Sequence, residues 1–427
     1  MGVDVRMRKR INKIRIPLED LTEGERKVID EIGGRYLVII DKEPCLTCVF
    51  PNTKILSLRT GYRRIEAIQK EGSTVSHSGR STRICKRMEL YYSGKIVEIT
   101  GVGMRPVPFT EDHEIWVTEK RRGKKVWKCA GDVTKENYLV VPKIVVKEKS
   151  HFLKVNSEII GTFVADGFVD LLTNQCRSVV IRQNEKGVKD IVSMFSREGL
   201  ISHVYENSGS NLIEVHDVKL ARWLRWNFYD NDKNKVLPSW FLKLPKKEIV
   251  KFIRGYLHDG YISKQEIMGF SSKSEKLINQ VSVLLLRLGV YPKMSYEEEE
   301  KEYKGYSWTS KMFKIHLSVK HSQMLAELLN VPYPKRERKL QRRKWQIVDT
   351  KRYFYVPIKE IKETTYSGLV ENIQTKSETF ALPFVVHNCG HKKRILHVEK
   401  SDGRRELVKE CLYCLCKHHT AANRTDS

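Results

Sequence analysis

The spacing of apolar positions changes character several times along the 427 residues. An irregular basic stretch, 1–17, is followed by Leu18, Leu21, Val28, Ile29 and Ile32, whose spacing predicts a short amphipathic helix. Arg35 to Ile40 (RYLVII) predicts a strand. From Cys48 to about Pro142 the pattern is one of short β runs, among them Lys95 to Thr100 (KIVEIT) and Tyr138 to Val141 (YLVV). Gly101, Gly103, Pro106 and Pro108 break these runs. Helical period takes over near Asn156. Two helix-sized segments, 156–170 and 247–261, each carry an Asp-Gly near their end. Each is followed by strand-like runs and another helix, Lys186–Glu198 after the first and Ser274–Leu288 after the second, which amounts to a weak internal duplication. Past Lys335 to Lys344 (KRERKLQRRK) the chain returns to β pattern and ends it at Phe384-Val385-Val386. The order is a β part, a duplicated α/β part, and a second β part.

Length and charge sharpen this only slightly. At ~100–200 residues per domain the chain is long enough for about three domains. The net charge is +26, which points to a nucleic-acid partner. Residues 1–47 and 389–427 together hold 19 basic and 14 acidic residues, so the basic signal belongs to the segment between them. Nine cysteines in a chain of this length, with no signal peptide in view, do not read as a disulfide scaffold. No apolar run reaches ~18 residues, so a membrane span is not expected and a cytoplasmic location is.

The cysteines carry the sharper signal. Deleting 48–388 joins Glu43-Pro44-Cys45-Leu46-Thr47 to Cys389-Gly390-His391, a CxxC that the intervening segment interrupts. Cys411-Leu412-Tyr413-Cys414 is a second one. The residues at the two junctions are those a peptide bond needs to rearrange without a protease. Cys48 is a nucleophile placed directly after the Thr47 carbonyl. Thr110-Glu111-Asp112-His113 offers a hydroxyl and an imidazole to polarise that amide and protonate its nitrogen. Cys389 is a second nucleophile, able to take over the acyl group. Asn388 can cyclise on its own carbonyl and so cut the Asn388–Cys389 bond, with His387 beside that carbonyl as proton donor.

Together, the block opening at Cys48, the TxxH of Thr110–His113 and the terminal Val-Val-His-Asn before Cys389 resemble a class 1 intein. The resemblance covers 48–388, four-fifths of the chain. It implies that the two β parts fold together into an all-β, horseshoe-like HINT splicing domain that needs no cofactor. Cys48, Thr110, His113, His387, Asn388 and Cys389 take the roles just argued. Two positions depart from the family pattern. Asn372 stands where an acidic residue or Cys is usual. Glu378 stands where a His is usual, about ten residues before the final Asn. Slow or conditional Asn cyclisation is therefore expected.

In the α/β part, Ile159-Ile160-Gly161-Thr162-Phe163-Val164-Ala165-Asp166-Gly167 and Phe252-Ile253-Arg254-Gly255-Tyr256-Leu257-His258-Asp259-Gly260 each place a glycine about one turn before the Asp. Small residues let two helices approach closely, which would bring Asp166 and Asp259 together as a Mg²⁺ site beside DNA. This pattern resembles the single-chain LAGLIDADG homing endonucleases over about 150–350, implying a duplicated αββαββα fold, a monomeric insert and a double-stranded target, the intein-free host gene. Lys235-Val236-Leu237-Pro238 matches that family's Lys-x-x-Pro block and assigns Lys235 to the scissile phosphate. Lys335–Lys344 is a candidate phosphate track.

The expected organisation is 1–47 as first host piece, 48–145 and 351–388 as the splicing domain, 146–350 as the endonuclease, and 389–427 as second host piece. In the joined host, Cys45, Cys389, Cys411 and Cys414 have zinc-ribbon spacing, with 21 residues between the two knuckles. Cys416, His418 and His419 lie near enough to leave the ligand choice at the second knuckle open. The joined host reads either as a small nucleic-acid-associated ribbon protein or as a purely structural zinc module. The rival readings are a DNA-binding or nuclease protein that never splices, and a zinc module carrying an inert insert.

Overall fold

The computed structural model describes residues 13–16, 34–44, 48–68, 72–169, 176–207, 210–303, 306–334, 345–388, 392–400 and 405–409. Contacts divide the chain into two units, Cys48–Asn388 and the flanks Met1–Thr47 with Cys389–Ser427.

The flanks share one antiparallel sheet, in the order Lys13–Ile16, Gly34–Pro44, Lys392–Lys400, Arg405–Lys409. Its central pair joins a strand from before the second unit to one from after it, so the sheet is complete only when both flanks are present. The expected strand at Arg35–Ile40 falls within Gly34–Pro44. The helix expected at Leu18–Ile32, Cys45, Cys389, Cys411 and Cys414, and the Lys335–Lys344 run lie outside the described residues.

In the second unit, a ten-stranded sheet is built from both ends of the segment. Its main path runs Thr379–Ala381, Val385–His387, Glu114–Thr118, Tyr138–Pro142, Tyr353–Thr375, Ser81–Gly101, Ser73–Val75. Its longest members, Ser81–Gly101 and Tyr353–Thr375, pair antiparallel from Ile84↔Thr375 to Gly101↔Ile358. That ladder binds the early β part to the late one. Alternating apolar residues fill one core, including Val49, Phe109, Ile115, Val117, Phe354, Phe380, Phe384 and Val386.

Between these parts lies a duplicated α/β module. The first copy runs α1 (Ser157–Asp166), two strands, α2 (Glu185–Arg197), two strands, α3 (Val218–Phe228). The second runs α4 (Lys246–Tyr256), two strands, α5 (Glu275–Arg287), two strands, α6 (Val319–Leu329). In each copy the four strands stand in the order first, second, fourth, third. The repeat that sequence shows weakly is thus a repeat of topology. Five of the six helices open on a side-chain cap that satisfies an otherwise orphaned N–H: Asn156, Asn184, Asp217, Ser274 and Ser318. The sixth, α4, follows Pro245, which has no side-chain cap.

Helices α1 and α4 end earlier than the apolar spacing predicts. Gly167 leaves α1 in extended conformation and pairs at once with Ile181. In α4 the N–H of Leu257 bonds Ile253 O at 3.0 Å and that of Gly260 bonds Leu257 O at 2.9 Å, so the chain turns before reaching Asp259.

These two helices pack backbone to backbone. A Cβ on Gly161 would lie 2.1 Å from the Phe252 carbonyl oxygen, and one on Gly255 would lie 1.9 Å from that of Glu158. No side chain can move aside to make room, because the obstacle is main chain. Above the crossing, Arg254 donates to both carboxylate oxygens of Glu158. Gly255→Ala is expected to force the helices apart and to destabilise the full chain by about 1–3 kcal/mol or more. Thermal melting checks this; an unchanged midpoint would mean that the crossing is looser than described.

Candidate active sites

The first site lies where the ends of the second unit meet. Val49 forms bridges with both Phe109 and Glu371, which draws Cys48 into the sheet. The N–H of Val49 donates to Glu371 O at 2.8 Å and that of Glu371 to Val49 O at 2.7 Å. The Glu371 side chain is buried, and Arg87 donates to its two oxygens at 2.8 and 2.7 Å. This bidentate pair fixes the strand against which Cys48 is held.

Cys48 is 1 % exposed. Its N–H, which is the nitrogen of the Thr47–Cys48 peptide bond, donates to Thr110 Oγ1 at 2.9 Å. The Thr110 hydroxyl donates in turn to Cys48 O at 3.3 Å, and Thr110 N–H donates to the same oxygen at 3.1 Å. A turn closed by His113 N–H to Thr110 O at 3.0 Å brings the His113 ring inside. That ring is fully buried, 5.0 Å from Phe109 centre to centre.

The other junction reaches the same turn. Glu114, next to His113, places Oε2 3.5 Å from His387 Nδ1. Trp127 meets the His387 ring edge-on at 5.4 Å. His387 lies opposite Thr379 in a short hairpin, and Asn388 N–H donates to Glu378 O at 3.0 Å. The Asn388 side chain is buried, and neither of its amide atoms has a hydrogen-bond partner among the described residues. Thr110, His113 and His387 therefore converge with Cys48 around residues 110–114, and Asn388 directly follows His387. Cys389 lies outside the described residues.

The two departures resolve differently. Asn372 is buried and its Oδ1 accepts from Ile373 N–H at 2.7 Å, a local bond that turns the amide back on its own strand. The Glu378 side chain does not enter the site, contrary to its place in the expected register. Glu378 sits in a left-handed turn at φ 58° with its side chain exposed, and only its carbonyl reaches Asn388. The next residue faces inward instead: Thr379 Oγ1 lies 2.9 Å from His77 Nδ1. Glu114, Glu371 and Arg87 were not singled out in the sequence. Glu114 directly follows the TxxH motif on an alternating strand, which is a usable signal; the Arg87–Glu371 pairing spans 284 positions and has none.

The second site lies where α1 and α4 end. Lys235 donates from Nζ to the carbonyls of Phe163 and Gly167, the last turn of α1, and stands over the Phe163 ring. A cation at those exposed carbonyls opposes the negative end of the helix. Asp166 is close enough to Asp259 for its charge to act on that carboxyl. Burial pushes the Asp166 carboxyl up, opposed by Lys235 and Arg182. Burial, then the Asp166 charge, pushes Asp259 up to about 6, opposed by Lys235. Burial brings Lys235 down to about 7, opposed by both carboxylates. Lys235 is thus tied to the helix end and the acid pair.

Among the described residues no group of three or more His, Cys, Asp or Glu gathers to hold a metal ion. Two carboxylates that repel each other are nevertheless a fit for a hard divalent cation, whose remaining positions are commonly filled by water and substrate phosphate.

Residues 247–342 match the family described as LAGLIDADG-like domain. The match falls on the second copy of the repeat; the first copy has the same strand order. Over 443 residues the chain is 21% identical to the ATP-dependent DNA helicase Hel308 of Thermococcus kodakarensis, covering 86% of this chain and 38% of that protein. Over 261 residues it is 26% identical to a DNA polymerase of Thermococcus hydrothermalis, covering 56% of this chain and 16% of that one. The chain thus spans well under half the length of either relative. Mesophilic variants of the homing endonuclease I-DmoI are 14% identical, cover 41% of this chain and 95% of theirs, and superpose with a TM-score of 0.29.

The shifted groups set a pH dependence. The folded pKa of Asp259 lies above its ordinary 3.8, so the folded protein binds that proton more tightly than the unfolded chain does. Its ionised form therefore weakens the fold above about pH 6, and the penalty is relieved as pH falls towards 4. Lys235 is the reverse: its pKa is lowered from 10.5, so its penalty is complete below about 7 and relieved as pH rises. With chelator present, Asp259→Asn is expected to raise the melting temperature at pH 7.5, by an increment that vanishes near pH 4. A lower melting temperature at pH 7.5 would contradict this.

Proposed function

We propose that the chain is an intein-containing precursor that removes residues 48–388 by autocatalytic splicing and joins Thr47 to Cys389. The observation that carries this reading is the Thr110 hydroxyl on the nitrogen of the Thr47–Cys48 bond, 2.9 Å away, with His113 in the same turn. The Cys48 thiol adds to the Thr47 carbonyl carbon. The C–N bond breaks, the nitrogen leaves as the Cys48 amine with a proton supplied at this turn, and a thioester forms. The Cys389 thiol then displaces Cys48 from the acyl group. The Asn388 side-chain nitrogen attacks its own carbonyl carbon, closing a succinimide and releasing the Cys389 amine, with His387 held by Glu114 and Trp127 as the proton donor. The free amine of Cys389 takes the acyl group from its own sulfur and restores an amide.

Further support comes from the pairing of the two β parts into one sheet, read as a HINT splicing domain. The relatives add to it. A helicase and a polymerase, differently named proteins, match overlapping parts of this chain over minor shares of their own lengths. An insert carried by unrelated hosts leaves that trace.

The α/β module is read as an embedded LAGLIDADG homing endonuclease acting on double-stranded DNA. The observation favouring it is the coupled pair Asp166 and Asp259 at the ends of two tightly crossed helices, in the module whose second copy matches that family. Mg²⁺ held by the two carboxylates would supply Lewis-acid chemistry at a phosphodiester. Lys235 places a cation at the same point. The flanks are read as a small host whose Cys45, Cys389, Cys411 and Cys414 bind zinc after joining.

Asn388→Ala is expected to stop release at the second junction while the thioester at Cys48 still forms, so dithiothreitol should cut the chain after Thr47. Ligated host of normal mass from that variant would overturn the mechanism. For the nuclease, Asp166→Asn or Asp259→Asn is expected to abolish cutting of a duplex spanning the joined Thr47 and Cys389 codons in Mg²⁺. Binding should be little changed, because phosphate contacts supply most of the affinity. Cutting at the parent rate by either variant would remove the shared metal site.

A further inference from the structure

Helix α5 belongs to two cores at once. Leu277, Ile278, Val281, Leu284 and Leu285 pack among the α/β residues, whereas Val283 and Leu286 pack among those of the β sheet. Every residue from Leu277 to Arg287 is buried. A helix buried all round is held by whatever lies on each side of it, and here the two sides are different modules.

Between its two faces sits Gln280, 1 % exposed. Its Oε1 accepts from Leu237 N–H at 2.8 Å and its Nε2 donates to Leu237 O at 2.6 Å. One side chain thus satisfies both backbone polar groups of a buried residue, two positions beyond Lys235. Lys235 is itself tied by a bridge to Tyr229, and Val236 N–H bonds Phe228 O at 3.0 Å. Lys235 therefore opens a short span, 235–237, that is tied at both ends.

The opposite side of Gln280 meets the β module. Gly61, in the Lys54–Ser57 and Gly61–Arg64 hairpin, has φ +79°; a Cβ there would lie 3.1 Å from Gln280 N and 3.2 Å from Gln280 Cγ. The same module grips the first turn of α5, where Glu275 pairs with Lys54 at 2.5 Å and Arg105 at 3.0 Å. Beyond the helix, the Tyr291 hydroxyl donates to Val102 O at 3.1 Å.

We propose that Gln280 is a positioning residue for Lys235, acting through a helix that the splicing module holds in place. This rests on the nuclease reading of the α/β module. Losing the clamp leaves Leu237 N–H and C=O buried without partners, and the loop must move to find water. That movement carries the Lys235 ammonium away from the α1 carbonyls and the two carboxylates. The splicing module thereby outlives its own reaction as a structural part of the nuclease, and the α/β module cut out alone would lose one wall of α5.

The test uses the full chain carrying Cys48→Ala and Asn388→Ala, so that one species is present. Gln280→Glu keeps the acceptor for Leu237 N–H but removes the donor for Leu237 O; Gln280→Met removes both. We expect kcat for duplex cutting to fall about tenfold in Gln280→Glu, the scale of one net hydrogen bond, and further in Gln280→Met, with KM unchanged. Gln280→Met and Lys235→Met should not be additive, because both remove the same cation. Gly61→Val, in the other module, should lower kcat in the same way. Acetylation of Lys235 by acetic anhydride, followed peptide by peptide, should be faster in Gln280→Met than in the parent. Additive losses, or equal Lys235 acetylation in parent and Gln280→Met, would overturn the proposal. A parent that cuts no duplex, but whose Lys235 becomes reactive on losing Gln280, would retain the clamp and refute the nuclease reading instead.

Discussion

The structure depends on one pairing, the antiparallel ladder between Ser81–Gly101 and Tyr353–Thr375. It closes a loop that contains the whole α/β module, at a substantial entropic cost that grows only slowly with loop length. Long ladders of buried, alternating side chains offset such a cost; single contacts do not. Because of this ladder, Glu371 reaches Val49 and the last hairpin reaches Glu114. Both ends of the segment then meet at the turn formed by residues 110–114. Under the proposed splicing, chemistry at two peptide bonds 341 positions apart becomes chemistry at one place.

The two sites use burial for different ends. At the junctions Cys48, His113, His387 and Asn388 all lie inside; in the splicing we propose, that burial keeps water from a bond that must break without being hydrolysed. At the helix ends it makes Asp166, Asp259 and Lys235 each costly to ionise, with the Lys235 cation and the carboxylates partly offsetting one another. The module thereby carries strained ionisation at its centre, offset by a tight glycine crossing and a two-ended loop clamp. That arrangement explains why the α/β part leans on its neighbour. Helix α5 cannot satisfy its apolar surface within one module, and Gln280 fixes the loop only while α5 stays in place.

Much of this was legible in the residues, and the reason is chemical. Nucleophiles at junctions cannot be replaced by residues of similar shape, so Cys48, Thr110, His113, His387 and Asn388 stand out as types in an order. The glycine and Asp of each paired helix stand out likewise, because close backbone approach and carboxylate chemistry both restrict the choice. Helix ends were less legible: apolar spacing runs on through Asp166 and Asp259, while Gly167 and the turn at Leu257–Gly260 stop the helices locally. Glu378 was misread because counting from Asn388 finds a position in sequence but not the face of a tight hairpin, and a left-handed turn puts Thr379 inward. Arg87–Glu371 and Gln280–Leu237 were illegible for another reason. They join residues far apart along the chain, and only the folded ladder and the shared helix bring them together.

The central claim is that the buried turn at 110–114 serves two bond rearrangements in a single chain. Intact-mass measurement of the wild-type protein immediately after expression tests it most directly. The account predicts two products, an insert beginning at Cys48 and ending in a cyclised Asn388, and a small protein in which Thr47 is bonded to Cys389. A single stable species at 49.9 kDa, unchanged on prolonged incubation with reductant and chelator, would contradict it.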